Sequence, residues 1–152
     1  MKATHALIQS NRFPCVWSEQ PEIDPPPGRD FVQALLSEFV ARGASTPKPY
    51  IGDRDWEHSS WFFWVTWQED EFQIDLEASA NDTNPPTWHF GIARVRRVLR
   101  AIFGSREDRF EVPAEFLSIA GEVLQQVAGC ETVAWITEDQ AIAALWGCPA
   151  KG

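Results

Sequence analysis

Apolar residues recur along this chain at two spacings, and the changes of spacing mark its elements. Phe31, Leu35 and Phe39 fall on one i, i+4, i+8 row, joined by Val32, Leu36 and Val40. That is the stripe of an amphipathic helix. It stops at Arg42-Gly43, a basic last turn with a helix-ending glycine, and the Pro/Ser/Thr stretch from Ala44 to Pro49 confirms the break. The period then shortens. Trp61 to Trp67 is a run of aromatic and β-branched residues, the composition of a strand. Gln68 to Glu71 predicts a polar turn. Phe72 to Glu77 alternates at period two, so Phe72, Ile74 and Leu76 face a core while Gln73, Asp75 and Glu77 face away. Asn81 to Pro86 has the chemistry of a loop. Trp88, Phe90 and Ile92 then form the core face of a third strand, with His89 on its other side.

Helical spacing returns after Arg94. Val95, Val98, Leu99, Ile102 and Phe103 make an apolar stripe, with Arg94, Arg96, Arg97 and Arg100 around the rest of the circumference. Pro113 suits the first position of a further helix, which carries Phe116, Leu117, Ala120, Val123, Leu124 and Val127 and closes at Gly129. Glu131 to Ile136 predicts a short strand. Thr137 with Gln140 three residues on has the form of a capping box for a last helix bearing Ile142, Leu145 and Trp146. The start of the chain has no such period. Pro14, Pro21 and the triplet Pro25-Pro26-Pro27 before Gly28 block regular structure. Residues 1–28 therefore form an irregular Pro-rich arm, within which Ala6-Leu7-Ile8 and Cys15-Val16-Trp17 supply edge strands or drape over the core. Residues 29–148 form a single α+β domain. Its expected architecture is an antiparallel sheet of about four strands packed against three to four helices in two layers.

Composition agrees with a folded domain. Hydrophobic residues make up 44% of 152, enough for a core without staples. Eight Trp and ten Phe exclude a disordered chain. The formal net charge of -9 disfavours binding to nucleic acid. The charge is uneven: Asp53 to Asp82 holds nine carboxylates against one arginine, and Arg94 to Arg109 holds six arginines against two carboxylates. The bland reading of that basic band is internal neutralisation by neighbouring acids. Three cysteines, Cys15, Cys130 and Cys148, lack metal or disulfide spacing and suit a reducing compartment. The N-terminal apolar run is too short for a signal peptide, and no stretch reaches the length of a membrane span. A cytoplasmic protein is expected, with no membrane contact, no cofactor and no bound metal.

One strand breaks the one-faced pattern. Trp61, Phe63, Val65 and Trp67 lie on one side, and Phe62, Trp64 and Thr66 on the other, so both sides are apolar. If Asp75 and Glu77 of the neighbouring strand point outward, Phe62 and Trp64 stand beside carboxylates with His89 close by. An aromatic patch ringed by acids suits a basic protein partner. The competing expectation is that the arm or a helix covers Phe62 and Trp64. A second constellation, Asp53, Asp55, Glu57 and His58, has the residue types for a divalent cation or acid/base work, without the spacing of a calcium loop or an HExxH motif. No nucleophile elbow and no phosphate-binding glycine motif is present.

The functional expectation is a non-enzymatic protein-binding domain that blocks a basic partner with the face formed by Phe62, Trp64, Asp75, Glu77 and His89. In general character it is similar to bacterial toxin-neutralising immunity proteins and secretion chaperones, with no motif that carries a residue over. Two alternatives stand beside it. One is a small-molecule-binding protein or enzyme with an acidic pocket at Asp53, Asp55, Glu57 and His58, near His89. The other is an assembly subunit that forms a homodimer through the same sheet face.

Overall fold

The computed structural model describes residues 2–20, 24–46, 52–53, 60–79, 83–95 and 111–146. Its strands are β1 (His5–Gln9), β2 (Gly52–Asp53), β3 (Ser60–Trp67), β4 (Asp70–Ala78) and β5 (Thr87–Arg94), and its helices are α1 (Arg29–Ala41), α2 (Ala114–Ala128) and α3 (Glu138–Trp146). All strand pairs among the described residues are antiparallel, in the order β1-β5-β4-β3-β2. Four strands of five to nine residues carry the sheet, and β2 is a two-residue edge. The fold is α+β, in two layers.

The period-two reading of the strands holds, with Trp67 at the end of its inward row only partly buried. Trp61, Phe63, Val65, Phe72, Ile74, Leu76, Trp88, Phe90 and Ile92 are buried, as are Ala6 and Ile8 of β1. Helix α1 lays Phe31, Val32, Leu35 and Phe39 on that face. Helix α2 adds Phe116, whose ring stacks on Phe72 at 4.0 Å and meets Phe39 at 5.8 Å and Trp67 at 5.7 Å. One ring thus joins both helices to the sheet. Gly28 makes the entry to α1: its φ is +119°, and a Cβ there would lie 3.0 Å from the ring of Trp88. Arg42 ties α1 to α2, its Nε on Glu38 at 3.0 Å and its Nη1 on Glu122 at 2.6 Å.

Several expectations need adjustment. Ala6-Leu7-Ile8 is an edge strand, β1, in full register with β5 from His5↔Gly91 to Gln9↔Thr87. The polar turn is only Gln68-Glu69, because Asp70 and Glu71 already pair with Trp67 and Thr66. The stretch Glu131–Ile136 is not a strand. It touches the sheet edge at one bridge, Ile136 to His5, while Trp135 turns towards Phe90 at 6.1 Å. Arg94 ends β5 rather than starting a helix. Its guanidinium bonds Asp70 at 2.6 Å and donates to the Glu111 carbonyl at 3.3 Å, so this member of the basic band is neutralised internally. The remaining arginines of the band lie outside the described residues. The capping box is present: Thr137 N–H donates to Gln140 Oε1 at 2.9 Å, and Gln140 N–H to Thr137 Oγ1 at 3.3 Å.

Helix α3 differs from the other two. Its Ala141 and Leu145 are buried yet lie outside the main core cluster of described residues. It packs beside β1.

Candidate functional site

Antiparallel register places the second face of the sheet in rows. Phe62, Asp75, Gly91 and His5 stand abreast across β3, β4, β5 and β1. Ser60, Glu77, His89 and Leu7 form the row on one side of them, and Trp64, Gln73 and Ala93 the row on the other. The structure thus brings Phe62, Trp64, Asp75, Glu77 and His89 onto one surface. All five are partly exposed, in contrast to the fully buried residues that alternate with them. The two described helices that pack on the core, α1 and α2, do so from the opposite side.

Phe62 and Trp64 are two residues apart on one strand, so their rings meet. The centroids are 5.0 Å apart and the planes 83° from parallel. Edge-to-face contact of this kind is worth about 0.5–1.5 kcal/mol beyond burial and holds both rings in one orientation. Asp75 is the direct ladder partner of Phe62, and Gln73 of Trp64. Gln73 Nε2 donates to Asp75 Oδ1 at 3.2 Å, which aligns the carboxylate along the strand. The result is an aromatic pair flanked by an oriented acid, with Glu77 one row away.

The third strand adds a cluster that the sequence pattern did not single out. His5 Nδ1 lies 2.8 Å from His89 Nε2, with the ring centroids 5.0 Å apart and the planes 16° from parallel. His89 Nδ1 faces Glu77 Oε2 at 3.9 Å. The negative charge of Glu138 at the start of α3 also acts on the His5 ring. His5 titrates below its ordinary 6.5, because burial disfavours its charged form first and the charge of His89 second, with Glu138 opposing. Room for the ring comes from Gly91, where a Cβ would meet His5 Nδ1 at 3.0 Å. Two sequence signals pointed this way: the alternation of β1, which puts His5 and Leu7 opposite Ala6 and Ile8, and an isolated glycine inside a strand.

The alternative acidic pocket is not assembled by the described residues. Asp53 contributes backbone pairing to Trp61, while Asp55, Glu57 and His58 lie outside them. A groove of about 220 Å³ does exist, lined by Phe13, Val16, Pro26, Phe31 and Trp61 among others, where Trp61 Nε1 donates to the Pro26 carbonyl at 2.9 Å. None of the predicted acidic or histidine residues lines it. Among the described residues no three His, Cys, Asp or Glu side chains are placed to hold a metal ion. No described helix is long and apolar enough to cross a membrane. Burial raises the thiols of Cys15 and Cys130 above their usual range, the reverse of what a nucleophile needs. No family model, curated protein or solved structure matches the chain.

Proposed function

We propose that this protein is a binding domain whose second sheet face, built on Phe62, Trp64, Asp75 and Glu77, recognises a cationic partner protein. The observation that carries the reading is the edge-to-face Phe62–Trp64 pair sharing its rows with Asp75 and Gln73. Partly exposed aromatics in a fixed orientation offer contact area at low entropic cost. Adjacent carboxylates favour a Lys- or Arg-bearing surface and speed its approach, helped by the net charge of -9. Neutralisation of a basic toxin, as an immunity protein does, is the most concrete form. A cytoplasmic location fits the free thiols of Cys15 and Cys130.

The test is a titration of labelled protein with a synthetic peptide rich in arginine and tryptophan, followed by amide chemical shifts. Changes should centre on Phe62, Trp64, Gln73 and Asp75 and weaken as salt is added. Trp64→Ala should lower the affinity by about 2 kcal/mol, roughly thirtyfold. Shifts that map to the groove around Phe31, or that persist unchanged in Trp64→Ala, overturn the assignment. Self-association in the absence of peptide that Trp64→Ala abolishes would replace it with a homodimer through the same face.

A further inference from the structure

Edge strand β1 is held to the sheet by its ladder with β5, and His5 is where that edge is joined on three sides. Its backbone bonds Ile136 in both directions, at 3.1 and 2.8 Å, which attaches the lead-in to α3. Its ring lies over Gly91 and meets His89. We propose that the His5–His89 contact is a proton-operated latch, holding β1 and the start of α3 on the sheet at neutral pH and releasing them in acid.

The logic is that of donors and acceptors. Imidazole has two nitrogens, and in the neutral ring one donates while the other accepts. The Glu77 carboxylate, 3.9 Å from His89 Nδ1, favours a proton on that nitrogen. His89 Nε2 is then the acceptor, and His5 Nδ1 donates across the 2.8 Å contact. One added proton is tolerated, since an imidazolium donating to a neutral imidazole forms a charge-assisted bond. Glu77 from β4 lies beside His89, the charge of Glu138 from α3 acts on His5, and Asp75 stands across Gly91 in the same row as His5. A second proton leaves two donors, both positive, with no acceptor between them. The rings must separate, and His5 moves with the edge strand.

The titration of His5 agrees in direction. Its folded-state value lies below 6.5, so the neutral ring is preferred in the closed edge. The resulting stabilisation is whole above about pH 6.5 and is lost as the pH falls below it. The proposal is independent of the binding reading, because it concerns the chain alone.

Hydrogen exchange on the intact protein tests it. Thr4 accepts from Ile92 N–H and Ser10 N–H donates to the Pro86 carbonyl just before β5, so in the same alternation the N–H groups of Ala6 and Ile8 face β5. Their protection factors should fall, by up to about tenfold per pH unit, as the pH is taken from about 7 to about 5, while those of Phe63 and Ile74 hold. In His89→Gln the extra fall at Ala6 and Ile8 should vanish. Equal protection of β1 at both pH values, or the same fall in the variant, overturns the latch. Ring carbon–proton spectra of the unmodified protein give a second reading that needs no variant. A His5 titration displaced below 6.5 supports the proposal, and a His5 curve at the free value sinks it.

Discussion

Gly91 shows how much a missing methyl group decides at one position. A Cβ there would sit 3.0 Å from His5 Nδ1 and 3.1 Å from Cε1, so the ring must give way by a few tenths of an ångström. Two effects of Gly91→Ala oppose each other. The backbone gains about 0.5–1 kcal/mol from a residue with less freedom to lose, and overpacking costs about 1–3 kcal/mol where nothing yields. Here the ring is partly exposed and swings outward, so the cost falls at the low end. Global stability should change by no more than about 1 kcal/mol either way in urea titration. The titration of His5 should rise towards 6.5, because a ring pushed off the sheet regains water and leaves His89.

At the scale of elements, the β3–β4 hairpin carries a local conflict. Gln68 and Glu69 both have positive φ, 47° and 70°, as a two-residue turn between right-twisted strands requires. Neither is the Asn or Gly that such a turn favours. The flanking ladder, eight pairs from Ser60↔Glu77 to Trp67↔Asp70, imposes the conformation. The strain of an L-residue in this region is about 1–2 kcal/mol. Glu69→Gly should therefore raise stability by about 0.5–1 kcal/mol, after the entropy that glycine loses on folding, and shift the thermal midpoint upward. An unchanged or lowered midpoint would mean that the Glu69 side chain holds the turn by another contact. The same ladder explains why the expected four-residue turn shrank to two. Alternation told that Phe72 begins an inward row, but only pairing with Thr66 and Trp67 brings Glu71 and Asp70 into the strand.

For the whole molecule, the aromatic cluster at Phe116 makes α1, α2 and the sheet one cooperative unit. Its ring contacts Phe72, Phe39 and Trp67, one from each of β4, α1 and β3. Phe116→Ala should cost about 3–5 kcal/mol, a large share of the roughly 5–15 kcal/mol that holds a domain together. The denaturation midpoint should fall sharply with an unchanged slope, as a single transition. Two separate transitions would show that the helices unfold apart from the sheet.

Period and punctuation along the chain were enough to name the α+β class, the inward rows of β3, β4 and β5, the stripe of α1 apart from the exposed Val40, the stripe of α2, and the cap of α3. Each follows from short-range physics, in which side-chain spacing and backbone chemistry act within a few residues. The outward row Phe62, Trp64, Asp75, Glu77 and His89 was legible for the same reason: alternation assigns a face before any partner strand is known. Pairing was not legible. Which strand lies beside which, and in what register, is decided by contacts between residues far apart in sequence. His5 and His89 are 84 positions apart, and they meet only because β1 closes on β5 with Gly91 opposite His5. A one-residue slip of that ladder would turn His5 towards the core and dissolve the cluster.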